Sequence, residues 1–262
     1  MQTEIQTLQE EVFCLNYELE TLTDNLLRKS AERWVPKFLF PHTEREHIIR
    51  YEFVSKLVKD KKVLDIAGGS GYGTYIIANS GLAKEVTSCD LNEKAVRYGN
   101  FRYPHQNIKR LVANAETYCN EDYFDLIVSF ETIEHLSLYK DFLSNMKKSL
   151  KNDGFFIVST PVVLNTTTQC HNQYHVIEWS YKDFHSLISK YFIIDKVYFQ
   201  DIKFNNVSSK SELFFNKIKK RLLKTRRIQD ISKPLESRIE EGDGVETNSI
   251  SSGYQIFICK KK

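Results

Sequence analysis

The run Val63-Leu64-Asp65-Ile66-Ala67-Gly68-Gly69-Ser70-Gly71-Tyr72-Gly73 confines this chain to a narrow set of folds. A short apolar stretch ends in an acid, a glycine-rich turn follows, and a helix is predicted from about Thr74. This is the first strand–loop–helix unit of an α/β fold that binds ligands at the carboxyl ends of its strands. Glycines there supply turn conformations that a side chain forbids and let the backbone pass close beneath a ligand. A dinucleotide fingerprint, G-x-G-x-x-G, fails, because counted from Gly69 its third glycine falls at Thr74. The Gly-Lys-Ser/Thr of a phosphate-cradling loop is also missing. An acid two residues before the turn would repel a pyrophosphate. It suits a cationic or amino-bearing ligand.

Four further segments follow in order. Val86-Thr87-Ser88-Cys89-Asp90 reads as a second strand ending in an acid, and such an acid can accept both hydroxyls of a ribose. Leu111-Val112-Ala113-Asn114-Ala115-Glu116 is a third, Phe124–Phe130 a fourth strand, and Leu150–Pro161 a helix end, turn and strand. Together these segments resemble the class I S-adenosylmethionine-dependent methyltransferases, from about Glu32 to Tyr198 and again over Tyr254–Cys259. The resemblance implies an α/β, Rossmann-like sheet of seven strands, the last antiparallel, with helices on both faces. It implies S-adenosylmethionine as cofactor, held by Asp65, Ala67, Gly69, Gly71, Asp90, Leu91, Asn114, Ala115 and Phe130. Asp65 would serve the methionine end and Asp90 the ribose. Asn114 would read adenine together with a backbone NH. The family usually has Asp at that position, but an Asn carbonyl still accepts from the adenine amino group.

Bulk properties suit one α/β domain with additions: 262 residues, net charge +3 and 41% hydrophobic residues. The longest apolar runs, such as Phe155–Val158, are far short of a membrane span. No basic-then-apolar signal region opens the sequence. Five cysteines with no CxxC spacing read mainly as small core residues. The expected location is cytoplasmic, with a peripheral contact at the inner face of the membrane.

Residues 1–30 form a first unit. Ile5, Leu8, Val12, Leu15, Leu19, Leu22 and Leu26 are spaced 3-4-3-4-3-4, the seam of a short coiled coil. Self-association through residues 5–26 is expected; the alternative is a helix laid on the enzyme's own surface. Residues 31–199 and 253–262 form the cofactor-binding domain. Pro36 and Pro41 interrupt its leader, and a helix is predicted from about Thr43 to Lys59. The segments Glu32-Arg33-Trp34-Val35-Pro36 and Glu46-His47-Ile48-Ile49-Arg50-Tyr51 resemble the leader of bacterial methyltransferases found with surface-glycan enzymes. Arg50 could meet the cofactor carboxylate or lie on a solvated helix face. Residues 200–252 read as an insertion between the last two strands, Tyr191–Phe199 and Tyr254–Cys259. Within it, Leu213–Arg227 is a basic amphipathic helix suited to an anionic membrane or nucleic acid, or else a solvated helix covering part of the core, and Gln229–Ser252 an acidic mobile loop.

The chemistry is expected after the fourth strand. Glu131, Glu134 and His135 are spaced i, i+3, i+4, which places them on one face of a helical turn at the active-site end of the sheet. His171-Asn172-Gln173-Tyr174-His175-Val176-Ile177-Glu178-Trp179 follows the fifth strand and borders the same cleft. Two carboxylates and two imidazoles make a mixed O/N ligand set that suits Mg, Mn, Fe or Zn, and spacing alone does not choose among them. The pattern resembles that of metal-dependent small-RNA 2′-O-methyltransferases. It also resembles sugar and glycan O-methyltransferases with an H-V-x-E-(Y/F/W)-(S/T) segment. The first resemblance makes Glu131, Glu134, His135 and His175 ligands of Mg²⁺ or Mn²⁺ and the catalytic set. A metal-free reading makes His135 a general base with Glu131 closing over the cofactor, and a third leaves His135 a capped helix residue. The sequence favours O-methylation of a hydroxyl on a cell-surface glycan or its activated precursor. The alternatives are RNA ribose 2′-O-methylation, weakened by the low net charge, and a non-catalytic cofactor-binding scaffold.

Overall fold

The computed structural model describes residues 2–25, 35–36, 41–205, 237–243 and 245–262. Helix α1 (Gln2–Thr23) is followed by α2 (Pro41–Ser55), β1 (Lys62–Ile66), α3 (Tyr72–Asn79), β2 (Glu85–Asp90), α4 (Glu93–Arg102) and β3 (Ile108–Val112). Then come β4 (Phe124–Phe130), α5 (Tyr139–Ser149), β5 (Leu150–Pro161), α6 (Tyr181–Tyr191), β6 (Phe192–Phe204), β7 (Ile239–Glu241) and β8 (Ile250–Lys261).

One sheet holds them in the order β3-β2-β1-β4-β5-β8-β6-β7. Strands β1 to β5 pair in parallel, and β8 is antiparallel to both β5 and β6. The last strand is antiparallel as expected, but among the described residues the sheet has eight strands instead of seven. The additional strand, β7, pairs with β6 at the edge.

The strands are apolar on both sides because helices cover both faces. Val63, Leu126, Val128, Ile157 and Ile258 project to one layer with Tyr51, Val54 and Ile77 of α2 and α3. Leu64, Ile127, Phe156, Val158 and Phe257 project to the other, with Phe142 and Met146 of α5 and Phe184 and Ile188 of α6. That even–odd division is the period of two of a strand. Cys89 and Cys259 lie in the second layer and Cys14 under α1, all three buried.

Three sequence expectations change. Pro41 opens α2 instead of interrupting the chain before it; proline suits a first helical position, where no N–H is needed. The insertion is narrower than 200–252, because β6 runs on to Phe204 and β8 starts at Ile250. The acidic stretch read as a mobile loop contributes β7, with Glu240 and Glu241 opposite Phe199 and Tyr198. The backbone pairing available at the edge of β6 outweighs the polar composition. The expected basic helix, 213–227, lies outside the described residues, as does Leu26. No helix among the described residues is long and apolar enough to cross a membrane.

Candidate active site

Strand order reverses between β1 and β4, which opens the crevice where sheets of this type bind ligands. The glycine turn sits there, and its glycines serve two purposes. A Cβ on Gly68 would lie 2.5 Å from Ser88 Oγ and 2.8 Å from Asp65 Oδ2, and one on Gly73 would lie 2.1 Å from the Tyr51 ring. These two let the turn pack against its own protein. Gly69 differs: it has φ +57 and open space where its Cβ would be, so it offers bare backbone outward. Gly71, at φ 84, starts α3 from a left-handed cap. Ala67 takes φ 61 without being glycine, backbone strain of a kind that gathers at ligand sites.

Asp65 is buried and accepts from Thr74 Oγ1 at 2.5 Å and Tyr51 Oη at 3.3 Å. Burial pushes its carboxyl up to about 6, against the pull of the Thr74 and Tyr51 hydrogen bonds. Asp90 accepts from the Gly69 N–H at 2.9 Å and the Asn92 N–H at 2.8 Å. The predicted ribose acid therefore also holds the glycine turn. Leu91 beside it is 66% exposed, an apolar patch at the rim. Asn114 accepts from the Glu116 N–H at 2.8 Å, so its side chain shapes its own turn. Ala115 is buried, and Phe130 meets the Tyr51 ring edge-on at 5.2 Å between centroids. The open backbone at Gly69, between one acid suited to an ammonium and another suited to a diol, fits a nucleoside with an amino-acid tail.

A second cluster lies past β4. Glu134 is fully buried on a single 3-10 turn, Ile133–His135. Its backbone carbonyl accepts from the Val176 N–H at 2.7 Å and the Ile177 N–H at 3.3 Å, which clips the segment after β5 against this turn. Ligand atoms of Glu134, His135 and His175 then lie within 4.8 Å of one another, with the two imidazole centroids 4.7 Å apart. His175 Nδ1 is 2.6 Å from Glu178 Oε1, and its Nε2 is 3.0 Å from Asn172 Nδ2. In the matching tautomer His175 donates to Glu178 and accepts from Asn172. His135 Nδ1 stands 3.2 Å from the Tyr174 carbonyl. Glu134 Oε2 accepts from Thr160 at 3.0 Å, while Oε1 is buried with no hydrogen-bond partner among the described residues. Burial, then the charge of Glu131, holds its carboxyl well above the usual range.

Glu131 does not join this cluster. Its backbone is left-handed at φ 48, and its Oε1 accepts from Ser159 Oγ at 2.7 Å. The expectation of one helical face for Glu131, Glu134 and His135 is corrected accordingly. The turn is 3-10 and too short to include Glu131. The four-residue set becomes a group of three with Glu131 to the side, bonded to β5.

The sequence left Arg50 undecided, and the structure removes the solvated-face reading: the residue is 0% exposed. Its Nη1 donates to Gln200 Oε1 at 2.7 Å and its guanidinium lies 4.5 Å from the Tyr254 ring centroid. Nε and Nη2 are buried without hydrogen-bond partners among the described residues. Gln200 reaches Arg50 from a distorted stretch of β6, where the register to β8 shifts and Asp201 takes φ 51. No local sequence signal marks Gln200 or Tyr254, because the fold brings them to Arg50 from 150 and 204 positions further along the chain.

Residues 64–158 match the family described as a methyltransferase domain. A probable S-adenosylmethionine-dependent methyltransferase of Mycolicibacterium smegmatis is 33% identical over 118 residues, 45% of this chain and 44% of that protein. A ubiquinone biosynthesis O-methyltransferase of Actinobacillus pleuropneumoniae is 25% identical over 153 residues, 54% of this chain and 64% of that one. The chain thus spans about half the length of the curated relatives it matches. Among solved structures, the N-methyltransferase NodS of Bradyrhizobium japonicum in complex with S-adenosyl-L-homocysteine superposes with a TM-score of 0.55 at 13% identity. That match covers 95% of this chain and 98% of NodS, and it is a likeness of fold.

Proposed function

Starting from a chain that carries a class I, S-adenosylmethionine-dependent methyltransferase domain, we propose that it methylates oxygen. The acceptor is a sugar hydroxyl of a cell-surface glycan or its activated precursor. The carrying observation is the cluster Glu134, His135 and His175 at the carboxyl ends of β4 and β5. A sulfonium methyl is already activated, so the protein must align the acceptor and make it nucleophilic. A sugar hydroxyl is a poor nucleophile at neutral pH and needs a base or a cation.

The cluster fits a divalent cation by its donor chemistry: two imidazoles and the Glu134 carboxylate, whose buried Oε1 has no partner among the described residues, with Asn172 giving up His175 Nε2 to the ion. Glu134, His135 and His175 would hold Mg²⁺ or Mn²⁺, with Glu178 orienting His175 as an outer carboxylate does. Such an ion lowers the pKa of a bound hydroxyl. The chain's own residues do the rest. Glu131, anchored on Ser159, flanks the cofactor side of the cleft. Arg50 brings buried positive charge to an anionic group, and the segment from Asn172 to Glu178 walls the acceptor side. The glycan assignment is supported by the leader motif and by His175-Val176-Ile177-Glu178-Trp179-Ser180. The O-methyltransferase relatives support oxygen as the atom methylated.

The test is methyl transfer from labelled cofactor onto sugar nucleotides, glycans and short RNAs, with and without EDTA. Transfer to a sugar hydroxyl, lost in EDTA and restored by Mg²⁺ or Mn²⁺, is the expected result. Transfer to RNA alone would replace the acceptor. Full activity in EDTA, with His135→Ala inactive and His175→Ala active, would leave His135 as a general base and remove the cation.

A further inference from the structure

Helix α1 has two unlike faces. The inner one surrounds a buried patch of Cys14 and Tyr17 with ion pairs and docks on α4. Arg97 makes a paired contact to Glu10 at 2.9 and 3.0 Å and lies 3.9 Å from the centre of the Phe13 ring. Arg102 donates to Glu11 at 2.8 Å and to Glu18 at 2.9 Å, and Tyr98 Oη donates to Glu18 at 2.8 Å. Cys14 and Tyr17 are buried beneath, with the Tyr17 ring tilted against that of Tyr98 at 4.8 Å between centroids. The helix does lie on its own domain, but the heptad seam takes no part. Ile5, Leu8, Val12, Leu15 and Leu19 are 51–65% exposed. With Ile5, Val12 and Leu19 at heptad position a and Leu8, Leu15 and Leu22 at d, Glu10 and Tyr17 fall at f. Cys14 falls at c and Glu11 and Glu18 at g, so the docked face runs over c, f and g and leaves the a and d rows outside it. A regular exposed apolar stripe marks an interaction surface.

We propose that this seam pairs with the α1 seam of a second copy of the chain, as a parallel two-stranded coiled coil. The side chains choose the occupant. β-Branched Ile5 and Val12 at a with leucine at every d is the combination that favours two parallel strands. The flanking rows choose the direction. The g row is acidic, Glu4, Glu11 and Glu18, and the e row is neutral, Gln9, Asn16 and Thr23. A parallel pair sets g against the partner's e, so no carboxylate of one helix faces a carboxylate of the other. An antiparallel pair sets glutamates against glutamates. Arg102 already compensates Glu11 and Glu18 from the domain side. Three heptads are marginal as free helices, but docking on α4 holds α1 helical before a partner arrives.

Analytical ultracentrifugation of the full chain at micromolar concentration should give twice the chain mass. Val12→Glu and Leu15→Glu, each on the exposed seam, should halve that mass while leaving thermal unfolding and S-adenosylhomocysteine affinity unchanged. Mild oxidation of Leu8→Cys should give a covalent dimer that the oxidised wild type lacks, because a parallel pair brings equivalent d positions together. A monomeric wild type, or a dimer that survives both glutamate substitutions, overturns the proposal. A dimer in which Leu8→Cys fails to cross-link overturns the parallel arrangement.

Discussion

Asp65 and Glu134 are both buried carboxyls at the carboxyl end of a strand, 1% and 0% exposed, and both titrate above the ordinary carboxylate range. Their surroundings differ. Asp65 has a partner on each oxygen, Tyr51 and Thr74, and Thr74 is bonded onward to Ser88. Glu134 has Thr160 on one oxygen and no partner among the described residues on the other. Arg50, beside Tyr254, has two nitrogens without hydrogen-bond partners among the described residues. A buried polar group without a partner costs about 1–3 kcal/mol, more when charged. At Asp65 the β1–β2 side is thus complete in itself, and Gly69 beside it presents open space. The β4–β5 side is left incomplete, as a site is when an outside group must finish it.

The strongest way to break this contrast is Glu134→Gln. If Glu134 acts on the acceptor, methyl transfer should fall about 10²–10⁴-fold, the scale of acid–base assistance. S-adenosylhomocysteine affinity by calorimetry should stay within about twofold of wild type, since losing one acid–base group need not disturb uniform binding. Equal losses in both measurements would place Glu134 on the cofactor side.

Arg50 comes next. If its spare nitrogens meet the cofactor carboxylate, wild type should lose about 1.5–3 kcal/mol of binding when that carboxylate is removed from the ligand, the scale of a charge-assisted bond. Arg50→Met should show no such discrimination. Should the variant still discriminate fully, the guanidinium serves an anionic acceptor instead.

The two kinds of glycine sharpen the same contrast. Gly73→Ala drives a methyl into the Tyr51 ring and should lower stability by about 1–3 kcal/mol, as overpacking does. Gly69→Ala has room and should cost only about 1–2 kcal/mol for a left-handed alanine. Its distinguishing mark should be weaker cofactor binding. Thermal unfolding and calorimetry on both variants separate the roles, and a Gly69→Ala protein with normal affinity would remove that backbone from the pocket.

How much of this was legible in the sequence follows from how local each feature is. The first strand, its acid and the glycine turn are contiguous, so their spacing pointed to a ligand crevice at the carboxyl ends of the strands, and the resemblance over five ordered segments named the cofactor. The grouping of Glu134, His135 and His175 was legible as residue types, and the chain topology brings them together. Which members meet was not legible. That depends on the left-handed backbone at Glu131, and residues other than glycine seldom announce that conformation in advance. Arg50 was legible as a candidate and not as a buried charge, because its partner Gln200 arrives through a distortion in a strand pair far along the chain. The acidic stretch around Glu240 shows the opposite failure: composition suggested a loop, and pairing with the exposed edge of β6 made it a strand.

The smallest effect expected is the pH dependence of the cofactor side, and its sign is fixed by Asp65. Its carboxyl titrates at about 6 in the ligand-free fold against 3.8 for an ordinary aspartate. Between those values the native state holds a proton that the unfolded chain has released. Stability contributed by this residue therefore falls as pH rises from about 4 to about 6 and is level above. Binding runs the other way. A ligand ammonium needs the carboxylate, so S-adenosylhomocysteine affinity should climb about tenfold from pH 5 to pH 7 and then flatten, about one pKa unit's worth of free energy. Glu134 also titrates high, so the comparison must be wild type against Asp65→Asn. The variant keeps a buried polar group at this position but cannot ionise. Its affinity should be weak and flat over the same range, and its unfolding temperature should lack the part of the pH slope that Asp65 supplies. A variant that keeps the wild-type climb in affinity would show that the ammonium lies elsewhere, and the completeness of the β1–β2 side would then be structural alone.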